Sequence, residues 1–169
     1  MSQVTINLPV KPRSYYQILV DGEKAVFNKN KEKKNCVSYI HNTTKKSVNI
    51  SITSYSYLSS KLWLLMEIFF HIISIFSILD MHERNKTIYT SNFLATINTE
   101  SDCEINLQIL PPHKEGDVVR VTVPTTNLQV QSNQYIINEQ LKKRKKISKI
   151  LKLLTTIGIG IAIFLLIIK

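Results

Sequence analysis

The chain has 169 residues and a net charge of +10, enough for one domain with a modest core once an apolar tail is set aside, and too few for a second independent one. The charge is uneven: residues 1–61 carry ten Lys/Arg against three acids, 83–141 four against seven, and 142–169 eight with no acid. That pattern argues against a nucleic-acid surface running the length of the chain and for local basic regions, one of which abuts apolar sequence.

Val4, Ile6 and Leu8 alternate with polar residues before Pro9 and Pro12, the two-residue period of a first strand. Tyr16, Ile18 and Val20 alternate up to Asp21-Gly22, and Ala25 to Phe27 follows. Asp-Gly between apolar runs predicts a hairpin on a type I′ turn, which needs positive φ at both central residues. The run KNKEKKN from Lys29 to Asn35 reads as a solvated loop, Val37 and Tyr39 as a strand, His41-Asn42 as a turn, and Val48, Ile50 and Ile52 as a long strand reaching Tyr57.

From Leu58 to Asp80 the pattern changes to LSSKLWLLMEIFFHIISIFSILD, with its few polar residues, Ser60, Glu67, His71, Ser74 and Ser77, at helical spacing. Strand periodicity returns in Ile88 and Tyr89, then Phe93, Ala95 and Ile97, and after a turn over Asn98 to Asp102 in Ile105, Leu107 and Ile109. Val119, Val121 and Val123 form a last predicted strand before Pro124. Ser132 or Asn133 is the expected N-cap of a helix running through the basic block into the tail.

That tail, Leu153 to Ile168, is 16 uninterrupted apolar or small residues. At ~1.5 Å per residue it reaches about 24 Å, and Ile150 and Leu151 extend it toward the ~30 Å of a bilayer core while Lys152 snorkels to the head groups. Lys142, Lys143, Arg144, Lys145, Lys146, Lys149 and Lys152 precede it and Lys169 alone follows. The positive-inside rule therefore places the body in the cytoplasm, on a tail-anchored, single-pass chain next to anionic lipid. Thr156 with Gly160 and Gly158 with Ala162 are small-xxx-small pairs that permit close helix approach, to the other apolar segment or to a second copy of the chain.

Leu62 to Leu79 would just reach across a bilayer although it contains Glu67 and His71, but a crossing would put the ten cations of residues 1–61 opposite the basic block, against the positive-inside rule, and the two sets of strands on opposite sides. A helix in the interface, or dipping in with the Glu67, His71 and Ser74 stripe facing protein or water, avoids both difficulties. Glu67 and His71 at i, i+4 are otherwise half of a metal or proton-relay site, and no second such pair occurs. His41, His82 and His113 stand alone in predicted turns and loops, and Glu100, Asp102 and Glu104 are read as a solvated rim. Cys36 and Cys103 lack CxxC spacing and are expected to be unpaired thiols. With four glycines, no phosphate-cradling loop and no nucleophile in an activating context, neither an enzyme nor a bound cofactor or metal is expected. Tyr15, Tyr16, Tyr39, Tyr55 and Tyr57 lie in strands of the basic third, but without RNA-binding signatures nucleic acid is not the expected partner.

The stretch YYQILVDGEKAVFN, with its strand, Asp-Gly turn and return strand, resembles the opening of small bacterial β-sandwich modules of the PEGA-like kind. The resemblance covers residues 3 to 57, where HNTTKKSVNISI stands in place of that family's glycine-rich turn and following strand. The whole arrangement also resembles small membrane-anchored β-sandwich proteins of low-G+C bacteria, in keeping with a composition of 18 Lys to 4 Arg. The resemblance implies a non-catalytic sandwich.

The expected organisation is mainly β. An antiparallel β-sandwich over 1–131 is interrupted by one apolar amphipathic, membrane-contacting helix at 58–80, followed by a basic juxtamembrane helix at 132–149 and a transmembrane anchor at 150–169. The expected role is a membrane-anchored interaction or accessory protein with a protein partner. The alternative is a two-span membrane protein for transport, sensing or toxin immunity that uses Glu67 and His71.

Overall fold

In the computed structural model, residues 1–13, 15–30, 36–75, 87–112, 116–122 and 127–168 are described, with side chains at all of these except 74 and 75. They form two compact units, Met1–Tyr55 with Tyr89–Ile136, and Ser56–Ile88 with Ile137–Lys169.

The first unit is a β-sandwich. One five-stranded sheet has the order β4 (Asn28–Lys29), β5 (Val37–Thr43), β1 (Ser2–Leu8), β8 (Cys103–Ile109), β9 (Val119–Val121). The other runs β10 (Leu128–Ile137), β7 (Tyr89–Asn98), β6 (Ser47–Ser54), β2 (Tyr16–Val20), β3 (Glu23–Lys24). Alternation decides which side chains enter the core: Val4, Ile6 and Leu8 from β1, Ile105 and Leu107 from β8, Ile18 and Val20 from β2, Val48, Ile50 and Ile52 from β6, and Phe93, Ala95 and Ile97 from β7 join one buried cluster. The β2–β3 hairpin turns as its dipeptide requires, with φ of 51° at Asp21 and 85° at Gly22.

Several boundaries differ from the sequence expectation. His41-Asn42 is not a turn; β5 continues to Thr43 because its whole length pairs with β1, from Leu8 opposite Val37 to Ser2 opposite Thr43. His41 is thus a strand residue. The return strand expected at Ala25 to Phe27 is instead the short β3, with Ala25 N–H still bonded to the Ile18 carbonyl at 2.9 Å. The helix expected from Ser132 or Asn133 begins at Glu139, since β10 runs to Ile137 and Asn133 spends its side-chain oxygen on the backbone N–H groups of Val118 and Val119. Within an otherwise antiparallel sandwich, β1 and β8 pair parallel, Val4 opposite Cys103 to Asn7 opposite Asn106.

One ladder bears on membrane topology. β6 precedes the apolar insertion and β7 follows it, and the two pair antiparallel from Ser47 opposite Asn98 to Ile52 opposite Phe93. Ser91 N–H also donates to Ser54 Oγ at 3.0 Å. The insertion therefore leaves and rejoins adjacent strands, and a single crossing by Leu62 to Leu79 would have to pull this ladder apart.

The second unit is helical. A single 3₁₀ turn, Tyr57–Ser59, leads to α1, Trp63–Ile75, and the chain ends in α2, Glu139–Ile168. Asn138 caps α2, its Oδ1 accepting from the N–H groups of Gln140 and Leu141 at 3.1 Å each, while its own N–H donates to the Ile88 carbonyl at 2.9 Å. Val123, Pro124, His82, His113, Lys169 and residues 76–80 of the predicted inserted helix, Ser77 among them, lie outside the described residues.

Candidate functional site

α1 and α2 meet along polar residues, although both are mostly apolar. Glu67 is 0 % exposed, and both of its carboxylate oxygens accept hydrogen bonds: Oε1 from Ser148 Oγ at 2.7 Å and Oε2 from the Tyr57 hydroxyl. One turn further along α1, His71 Nε2 lies 3.2 Å from Thr156 Oγ1. The Thr156 hydroxyl also reaches the Lys152 carbonyl at 2.8 Å.

Arg144 closes the near end. Its Nη1 donates to the carbonyls of Leu58 at 2.5 Å and Ser60 at 3.3 Å, and its guanidinium carbon sits 5.6 Å from the Trp63 ring centroid. The end of a helical turn leaves carbonyls unsatisfied, and a planar cation that also stacks on an indole suits them better than an ammonium would.

The structure sorts the sequence candidates into groups. Glu67 and His71 face α2. Ser74 falls in α1, and its side chain is not among those described. Of the basic block, Lys142, Lys143, Lys146 and Lys149 are exposed, with Lys142 Nζ 3.2 Å from Glu139 Oε1. Arg144, Lys145 and Lys152 are half-buried on the side of α2 that carries Leu141 and Ser148. Thr156 meets α1, whereas among the described residues no atom outside the local backbone of α2 lies within 4 Å of a Cβ built at Gly158 or Gly160, and Ala162 is exposed.

Sequence reasoning missed Tyr57, Ser148 and the role of Arg144. A usable signal was present: Leu141, Arg144, Ser148, Leu151 and Thr155 recur at three- and four-residue spacing within a basic run, marking one packed face. Chemically this is a pinned carboxylate with a donor on each oxygen, which holds two helices together.

A second polar constellation lies on the solvent-facing side of β1. Asn7 is only 2 % exposed; its Nδ2 donates to Glu104 Oε1 at 2.5 Å and Asn106 Oδ1 at 3.1 Å, and its Oδ1 accepts from Ser38 Oγ. Asn30 Nδ2 donates to Ser38 Oγ at 2.7 Å, beside a groove of about 600 Å³. Asp102 and Glu104, expected as a solvated rim, are engaged: Asp102 Oδ1 accepts the Gln3 N–H at 2.7 Å. Tyr16 hydrogen-bonds Tyr135 at 2.6 Å, and the Tyr55 hydroxyl donates to Gln17 at 2.6 Å. Cys36 and Cys103 are free thiols, and no group of three or more His, Cys, Asp or Glu among the described residues is placed to hold a metal ion. No protein-family model, curated protein or solved structure matches the chain.

Proposed function

We propose that this chain is a membrane-anchored, non-enzymatic accessory protein that presents its β-sandwich to a protein partner at the cytoplasmic face of a membrane. One observation carries the reading. α2 is long and apolar enough to cross a bilayer, its most apolar window has none of its residues buried against the rest of the chain, and its first half holds the basic block. Apolar surface left uncovered in this way needs lipid or another apolar surface. The cation excess before Leu153 favours a cytoplasmic body with the exposed lysines near anionic lipid.

The sheet edge supplies a docking place. β4 covers only Val37 and Ser38 of β5, so Tyr39–Thr43 has no strand on its outer side among the described residues. The rival reading, a two-span transport, sensing or immunity component using Glu67 and His71, is weighed down by the β6–β7 ladder and by the occupied oxygens of Glu67.

Alkaline extraction of membranes tests the anchor: the chain stays in the pellet, and Ile161→Lys with Phe164→Lys releases it. A wild-type chain that washes off refutes the reading. Maleimide labelling in intact cells of Lys24→Cys or Glu100→Cys, with Cys36 and Cys103 changed to Ser, reports the side; protection of both is expected. A photoreactive residue at Ile40 yields a discrete cross-linked partner if the edge docks one, and unshifted monomer if it does not.

A further inference from the structure

We propose that α1 is a second membrane-inserting element, which enters one leaflet end-on beside α2 with its Ile75 end deepest, the exposed face of its inner turns taken up by the acyl chains of that leaflet. This rests on α2 being a membrane anchor and adds to it a lipid contact in the middle of the chain.

The direction of α1 follows from its partners. Leu58, Ser60 and Trp63 meet Arg144, Glu67 meets Ser148, and His71 meets Thr156. Moving along α1 moves along α2 in the same sense, so the helices run parallel. The depth follows from α2. Ser148 stands before the apolar run that begins at Leu153, whereas Thr156 stands three residues inside it, about 5 Å along the axis. Glu67 is thus held at head-group level and His71 just inside the hydrocarbon, and residues beyond His71 on α1 lie deeper still.

The faces agree with that depth. Glu67 and His71 point at α2, and the opposite side shows Leu65, Phe69 and Ile72 at 66, 57 and 45 % exposure. Leu65 stands on the head-group side of Glu67, whereas Ile72, beyond His71, lies level with the uncovered surface of the anchor, and that continuity identifies lipid as the occupant of this inner part of the face. The described turns of α1, Trp63–Ile75, span about 20 Å. Both ends of the insertion stay on the side of entry, because β6 and β7 are paired and Asn138 N–H binds the Ile88 carbonyl beside the first turn of α2. A helix lying flat in the interface would keep all its turns at one level instead.

Trp63 is the single tryptophan, and it gives a native depth gauge. The full chain is reconstituted in vesicles of phosphatidylcholine and phosphatidylglycerol brominated at a shallow or a deep acyl carbon. Quenching is compared for the wild type, for Trp63→Phe with Ile72→Trp, and for Trp63→Phe with Phe164→Trp. The Ile72→Trp indole is expected up to about 13 Å deeper than Trp63, the axial rise of nine helical residues, and preferentially quenched by the deep bromines. Phe69→Trp, on the same exposed face, gives an independent reporter of intermediate depth if Ile72→Trp misfolds. Equal, shallow quenching of Trp63, Phe69→Trp and Ile72→Trp overturns the proposal in favour of a flat helix. Absent quenching at Phe69→Trp and Ile72→Trp with strong quenching at Phe164→Trp overturns it while sparing the anchor. Absent quenching at Phe164→Trp overturns both.

Discussion

Glu67 concentrates the cost of a wrong substitution. A carboxylate with no solvent access depends on its donors, and deleting one leaves a lone pair unsatisfied at about 1–3 kcal/mol, more where the group is charged. Ser148→Ala is therefore expected to loosen α1 from α2 by that order while leaving the sandwich intact, seen as faster amide exchange in Trp63–Ile75 with unchanged exchange in β6 and β7. Uniform exchange in both units would show that Ser148 does not act through this contact. Tyr16 and Tyr135 offer a contrasting buried polar pair, whose hydroxyls lie 2.6 Å apart and both reach the Leu110 carbonyl, at 3.2 and 2.7 Å. Burial, reinforced by the bond to Tyr135, pushes the Tyr16 phenol far above its ordinary 10.0, and burial raises Tyr135 as well. In the unfolded chain both ionise near their ordinary value while the folded state keeps its protons, so stability holds below about pH 10 and falls as pH rises above it. Urea midpoints at about pH 9 and pH 11 should drop more in wild type than in the Tyr16→Phe, Tyr135→Phe double variant, which removes the linkage.

At the scale of elements, legibility tracked how strongly one face is buried. β1, β2, β6 and β7 are core strands with clean alternation, and the sequence placed all four. β10 is an edge strand whose pattern LQVQSNQYII buries only Tyr135, so period-two alternation is weak and its Ser and Asn resemble helix caps. Pairing with β7 overrides that local preference. The parallel pairing of β1 with β8 leaves no trace in either strand's period, because register and direction depend on a neighbour distant in sequence. Of the helical site, Glu67 and His71 were visible as polar interruptions of an apolar run, whereas Ser148 and Arg144 were hidden within a run of lysines. The hairpin was the most legible element, and it carries its own test. Gly22 sits at φ 85° with no neighbour within 4 Å of an added Cβ, so Gly22→Ala meets backbone strain alone. A loss of about 1–2 kcal/mol in chemical denaturation is expected, and no loss would mean the turn relaxes to another type.

For the whole molecule, the governing constraint is that a chain cannot place paired strands on two sides of a membrane. An apolar segment of membrane-spanning length invites the reading of two crossings, and charge alone opposes it only weakly. The β6–β7 ladder opposes it by covalent connectivity and hydrogen bonding together, which makes the arrangement of the molecule depend on a pairing that can be trapped in cells. Asn49 lies opposite Thr96, and the Thr96 hydroxyl donates to Asn49 Oδ1 at 2.9 Å on the solvent-facing side of the sheet. Directly opposed positions bring Cβ atoms to about 4.5–5.5 Å, within reach of a disulfide after small adjustment. With Cys36 and Cys103 changed to Ser, Asn49→Cys and Thr96→Cys should oxidise to an intramolecular bond in membrane-inserted protein. The bond should form on addition of a permeant oxidant and appear as a faster band on a non-reducing gel. A two-crossing arrangement would keep these cysteines a bilayer apart, and no oxidant would join them within one chain. Formation of the bond in the same preparation that resists alkaline extraction would require the strands before and after the apolar insertion to share one side while α2 holds the chain in the membrane.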